Sequence, residues 1–263
     1  MDPIHAIWLG LLQGLTEFLP VSSSGHLVIA QHFLPGFDQP GVLFDVMLHA
    51  ATMLAVCLYF RRELMALLTS LPGKTPEQRG HRRLLGMILL ASIPTAAIGL
   101  GFEDLFLALF DSLKTVAVML LVTGLLLLVA ERLRRDGRPL TGINALDALL
   151  VGTVQGLAII PGISRSGSTI AALLLRGIDG EAAARFSFLL ALPAVGGAAL
   201  LSLKDLGRVP PGDLPVYLAG ALVAFLVGLV AIHLLMGVIR KRRLTWFAIY
   251  CWVVGLVFLM APL

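Results

Sequence analysis

Charge is scarce in this chain. Of its 263 residues only 14% are Asp, Glu, Lys or Arg, against 58% hydrophobic, and the mean hydropathy of +0.92 lies far above that of soluble globular domains. Cysteine is almost absent. Cys57 and Cys251 each fall inside an apolar run, without CxxC or Cys/His spacing, which excludes a disulfide framework and a zinc site and leaves both as packing residues. A basic recognition face is missing too: the net charge of +4 comes from Lys and Arg bunched between apolar runs, the positive-inside pattern, so nucleic acid is not an expected partner. The opening MDPIHAIWLG lacks the basic start and small-residue cleavage site of a secretory leader, so none is expected. What remains is a polytopic membrane protein.

Within the apolar sequence, residues 13–26 (QGLTEFLPVSSSGH) form a polar knot. Non-helical polar sequence at membrane depth is tolerated only around a protein-lined cavity. The knot has a counterpart. A gapless shift of 142 residues lays Gln13, Gly14 and Leu15 on Gln155, Gly156 and Leu157, and Ser22, Ser24 and Gly25 on Ser164, Ser166 and Gly167. The same shift places Phe44 on Phe186 and Leu48 on Leu190, so the chain reads as a duplicated half.

Residues 5–19 make an apolar helix of roughly 22 Å, too short for a hydrocarbon core of about 30 Å, and Pro20 stops it. A second short helix, 25–34, turns 5–34 into a re-entrant hairpin. Three crossings follow at 41–60, 84–102 and 115–131, the last closing on Arg132, Arg134, Arg135 and Arg138. The stretch 61–83 carries six Lys/Arg and reads as a cytoplasmic loop with an amphipathic piece at 62–71, whereas 103–114 carries only Lys114 and reads as a loop on the other face. The second half repeats the plan, with hairpin 144–177 and crossings at 181–203, 214–239 and 244–263. With 61–83, 132–143 and Arg240-Lys241-Arg242-Arg243 inside, parity makes the first hairpin dip in from outside and the second from the cytoplasm. The expected fold is all-α, a single membrane domain over 1–263 built as an inverted repeat, 1–142 and 143–263. Each half is one re-entrant helix hairpin plus three transmembrane helices, and the two tips meet near the midplane.

Gln13 and Glu17, four apart, share a helix face just before the first break. At the second, PGISRSGST, Arg165 is alone in an apolar neighbourhood and implies an anionic partner. That partner is Glu17 in a structural pair, or phosphate oxygens: Ser164, Ser166, Ser168 and Thr169 surround the guanidinium with hydroxyls at a helix start. Ser22 and Ser24 also suit helix N-capping. Ser23 with His26 offers a nucleophile and a general acid or base, and Glu17 with Gln13 offers oxygen ligands for a hard divalent cation. Asp45 and His49 line the cavity or form a local pair, Arg176 and Arg185 snorkel, and His233 is a packing residue.

The stretches QGLTEFLPVSSSGH and PGISRSGST resemble the (E/Q)xxxE, PVSSxGH and PGxSRSxxT segments of the undecaprenyl-diphosphate phosphatases, the bacitracin-resistance family, and the resemblance in length and helix order covers essentially the whole chain. It implies a multi-pass enzyme of the bacterial plasma membrane that hydrolyses undecaprenyl diphosphate to the monophosphate carrier of peptidoglycan synthesis, with its site opening to the periplasmic side. Gln13 stands where many members carry Glu, so Glu17 is the only carboxylate of that pair. On this reading Ser23, His26 and Glu17 are catalytic. Arg165, Ser164, Ser166, Thr169, Ser22 and Ser24 hold phosphate, and Glu17 and Gln13 hold Mg²⁺ or Ca²⁺. Whether Ser23 or His26 attacks is open. The expected partners are the polyprenyl diphosphate and membrane lipids, with a homodimer allowed. The rival is a lipid flippase or transporter, because inverted repeats with broken helices serve transport equally well. Transport needs only a binding site; phosphoryl transfer also needs an attacking group.

Overall fold

A computed structural model describes residues 1–37, 43–110, 112–134, 137–202, 204, 209–210, 212–241 and 243–261. Twelve α-helices are found among them: α1 (Pro3–Thr16), α2 (Ser23–His32), α3 (Leu43–Tyr59), α4 (Arg61–Thr69), α5 (Pro76–Gly101), α6 (Glu103–Phe110), α7 (Leu113–Leu133), α8 (Ala145–Leu157), α9 (Arg165–Leu175), α10 (Gly180–Ser202), α11 (Leu214–Arg240) and α12 (Thr245–Met260). The described residues contain no strand. The expected start of the first crossing at Gly41, the ends of later ones at Leu203 and Leu263, and Arg135 and Arg242 of the basic clusters lie outside them.

Four helices, α5, α7, α10 and α11, are long and apolar enough to cross a membrane, and α3 with α4, bent by 76° at their break, counts as a fifth only if the pair is taken as one span. The sixth expected crossing, α12, has 16 residues, about 24 Å at about 1.5 Å per residue. These helices are apolar all round, and the outward side chains include Leu54, Ile93, Leu125, Leu222 and Trp246, as in helices solvated by lipid. Two boundaries differ from expectation. α5 begins at Pro76 rather than 84, because Thr75 and Gln78 form a capping box and Pro76 fits the first turn. The stretch 103–114, expected as loop, contains α6, whose first turn carries Glu103 and Asp104 where the helix dipole favours acids.

The helices pair as α1 with α11, α8 with α5, and α7 with α12, while α3 lies between α10 and α11. Glycine permits the first two pairings. A Cβ on Gly10 would stand 2.2 Å from the Gly220 carbonyl oxygen, and one on Gly152 would stand 1.9 Å from that of Ala91. Backbones this close gain dispersion contacts where burial from water supplies no driving force.

Asp147, fully buried in the first turn of α8, accepts from Arg138 at 2.6 Å and from Arg176 at 2.8 Å and completes a capping box with Asn144. Burial alone would raise its carboxyl, but the hydrogen bonds from Arg138 and Arg176 outweigh it and hold the group below the usual carboxylate range. Arg176 is therefore a clamp rather than a snorkelling residue. Arg185 likewise pairs with Glu181 at 2.6 Å and approaches Glu63 at 3.7 Å.

Candidate active site

Both polar knots are helix breaks. α1 ends at Thr16, and α2 starts at Ser23 behind Ser22, whose φ of 68° reverses the chain and whose Oγ caps the helix by accepting from the Gly25 N–H at 3.2 Å. α8 ends at Leu157, and α9 starts at Arg165 behind Ser164, which caps it by accepting from the Gly167 N–H at 3.0 Å. The breaks touch through glycine. A Cβ on Gly25 would come 3.1 Å from the Gly162 Cα, and one on Gly167 would come 3.1 Å from the Pro20 Cβ.

At this junction Glu17 is the hub. One carboxylate oxygen pairs with Nη2 of Arg165. The other accepts from Ser23 Oγ at 2.6 Å and Gln13 Nε2 at 2.9 Å, and lies 3.4 Å from His49 Nε2. The spacing of Gln13 and Glu17 does place both on one face, and the lone guanidinium does find the lone carboxylate. Arg165 is not thereby exhausted: its Nη1 is buried without a partner, as are Ser168 Oγ and Gln13 Oε1. A buried donor or acceptor left unpaired costs about 1–3 kcal/mol, so Arg165 Nη1 and Ser168 Oγ are donors, and Gln13 Oε1 an acceptor, that a ligand could complete.

The remaining candidates divide. Ser22, Ser24, Ser164 and Ser166 are spent on caps and on each other: Ser22 Oγ is 3.3 Å from Ser24 Oγ, and Ser164 Oγ is 3.3 Å from Ser166 Oγ. Thr169 Oγ1 bonds Ser187 Oγ at 2.6 Å and donates to the Arg165 carbonyl at 2.8 Å. His26 does not hydrogen-bond Ser23. Its Nδ1 meets the Ser22 carbonyl at 2.8 Å, and its Nε2 meets the Tyr250 hydroxyl at 2.8 Å. Of the pair left open, the local contact does form, His49 Nδ1 meeting the Asp45 carbonyl at 2.8 Å, while His49 Nε2 lies 3.4 Å from Glu17 and the Asp45 carboxylate accepts from Gln31 at 2.6 Å. Two contributors escaped the sequence reading. Tyr250 sits in an apolar helix as an ordinary membrane-interface aromatic would, and Thr123 of α7 donates to the Gly162 carbonyl at 2.9 Å while accepting from the Ser164 N–H at 3.0 Å.

For a divalent cation, Gln13 Oε1 and the Glu17 carboxylate have the required donor chemistry. Among the described residues no three His, Cys, Asp or Glu side chains converge. Bound there, a cation would need substrate oxygens and water to complete its shell and would supply positive charge to the phosphates.

The Bacitracin resistance protein BacA family matches residues 6–257. The chain belongs to the BacA family. Its relatives include the Undecaprenyl-diphosphatase of Syntrophotalea carbinolica, 58% identical over 97% of each chain. Those of Desulforapulum autotrophicum, 44% identical over 99% of each, and Halothermothrix orenii, 45% identical over 99% of this chain and 98% of its own, bear the same name.

Proposed function

We propose that the chain is an undecaprenyl-diphosphate phosphatase, hydrolysing the C55 diphosphate to undecaprenyl phosphate and inorganic phosphate. The observation that carries this is Ser23 Oγ held at 2.6 Å on a carboxylate whose other oxygen is paired to Arg165. A transporter has no task for a hydroxyl mounted on a proton acceptor. The terminal phosphate displaces Glu17 from Arg165 and takes up the unpaired Nη1 and Ser168 Oγ. Glu17, short of one ionic partner, accepts the Ser23 proton as Oγ bonds to phosphorus and the anhydride P–O bond breaks, releasing undecaprenyl phosphate. Water then bonds to the same phosphorus, Oγ leaves with the proton returned by Glu17, and phosphate departs. Both His26 nitrogens are engaged elsewhere, which favours Ser23 as the attacking group.

The inverted-repeat reading is supported by paired contacts. Exchanging the halves turns α1 on α11 into α8 on α5, and Gly25 on Gly162 into Gly167 on Pro20, each of these last four residues shifted by 142. In this arrangement α1–α2 and α8–α9 are re-entrant hairpins, the protein sits in the plasma membrane and the site opens outward. Mg²⁺ or Ca²⁺ on Gln13 and Glu17 assists, and a homodimer is compatible with the apolar exterior.

The test is phosphate release by detergent-purified protein given a short-chain prenyl diphosphate with Mg²⁺ or Ca²⁺. Release by the wild type, and its loss in Ser23→Ala and Arg165→Ala, is expected. No release by the wild type sinks the assignment, and full activity in either variant removes the role given to that residue.

A further inference from the structure

The BacA site has a contributor from outside both breaks. Tyr250 of α12 places its hydroxyl 2.8 Å from His26 Nε2, with the two rings stacked at an interplanar angle of 9° and centroids 5.6 Å apart. On the opposite edge, Nδ1 faces the Ser22 carbonyl at 2.8 Å. A carbonyl only accepts, so Nδ1 carries the hydrogen. In the neutral ring Nε2 is then a lone pair, and the Tyr250 O–H donates into it. α12 is seated here by other contacts as well: Cys251 Sγ lies 3.7 Å from the Pro20 carbonyl, and Trp252 Nε1 donates to the Leu121 carbonyl at 3.1 Å.

Ser23 has its proton acceptor in Glu17, so the first displacement leaves His26 unused. The second displacement still has a water proton to place, because Glu17 holds the one it must return to Oγ. We propose that Tyr250 positions His26 for this hydrolytic half of the reaction, keeping the ring in the Nδ1–H tautomer and passing the water proton to Nε2 through its own hydroxyl. Water oxygen bonds to phosphorus as its proton passes to the Tyr250 oxygen and the Tyr250 hydroxyl proton passes to Nε2, Oγ leaves with the Glu17 proton, and the added proton then leaves His26 by the same hydroxyl to solvent or product. The inference rests on the Ser23 phosphoenzyme reading. Around His26, α12 presents Tyr250 with Cys251 beside it, and α1 leads into Glu17, already paired with Arg165. α7 carries its charges at its ends, Lys114 exposed at the start and Glu131 and Arg132 at the finish.

The experiment uses the full-length protein in detergent with a short-chain prenyl diphosphate and Mg²⁺, comparing wild type, Tyr250→Phe, His26→Gln and the double variant. Tyr250→Phe keeps the ring stack. Its kcat is expected to fall about tenfold, the size of one hydrogen bond, with KM unchanged. The acid limb of kcat should move to higher pH, because the donor that favours neutral imidazole is gone. Quenched samples should hold more phosphate on Ser23 by mass spectrometry, and the change should have no effect in the His26→Gln background. Wild-type kcat and pH profile in Tyr250→Phe, or an equal loss in the His26→Gln background, overturns the proposal while leaving the phosphatase reading standing. No phosphate release from the wild type removes that reading and the proposal with it.

Discussion

Replacing Glu17 by Gln tests the hub of the site with almost no change of shape. The Glu17 side chain is 3% exposed and that of Arg165 16%, so little solvent screens the pair. Removing one partner of a buried pair costs about 3–5 kcal/mol, and the partial exposure of Arg165 argues for the lower end, about 3 kcal/mol. Replacing Arg165 by Met as well removes the stranded cation, so the double variant is expected to be more stable than Glu17→Gln alone by roughly the same 3 kcal/mol. Activity follows a different account. A carboxamide cannot take the Ser23 proton, and losing a positioned base lowers turnover about 10²- to 10⁴-fold. Denaturation in detergent micelles reads the first quantity, and phosphate release from a prenyl diphosphate reads the second. If Glu17→Gln turns over at the wild-type rate, or if Arg165→Met restores no stability to it, the role drawn for Glu17 is wrong.

Three further outcomes are expected. Arg165→Lys keeps the charge but not the fork whose two terminal nitrogens take the phosphate once Glu17 is displaced, so kcat/KM should fall by about 10²-fold or more with the fold intact in a thermal assay. Gly152→Ala should destabilise by about 1–3 kcal/mol, as overpacking does, since its Cβ would lie 1.9 Å from the Ala91 carbonyl oxygen; Gly10→Ala against Gly220 should do the same, both read by thermal unfolding. Asp147 contributes stability that is present above the unfolded carboxylate pKa and lost as pH falls through its depressed folded value. Asp147→Asn should therefore lower the melting temperature at neutral pH and flatten its decline below about pH 4.

The features legible in the sequence share a physical origin. Polar residues in a lipid-solvated chain are expensive, so Gln13, Glu17, Ser23 and Arg165 stand out, and the backbone rules for Ser and Pro locate the breaks around them. What escaped depends on distance along the chain. Tyr250 reads as an interface aromatic until α12 is folded against α2. Thr123 is one hydroxyl in an apolar helix, able to satisfy its own i−4 carbonyl, and nothing local shows that it serves Gly162 and Ser164 instead. Arg176 reads as a snorkelling cation because its carboxylate, Asp147, lies 29 residues away. Thr169, taken from the sequence as a phosphate ligand, finds Ser187, a partner no spacing rule could supply.

The pairing of α7 with α12 has a consequence for how the molecule can be divided. α7 comes from the first half of the chain, yet Thr123 grips the second break, and the positive φ of Gly162 (94°) brings that backbone against Val116. α12 comes from the second half, yet Tyr250 and Cys251 grip the first break. Each half's last helix thus supports the other half's break. A chain severed between them would yield two fragments, each retaining its own broken helix and lacking the clamp for it, and only their reassembly through α7 and α12 would return both breaks to this shape.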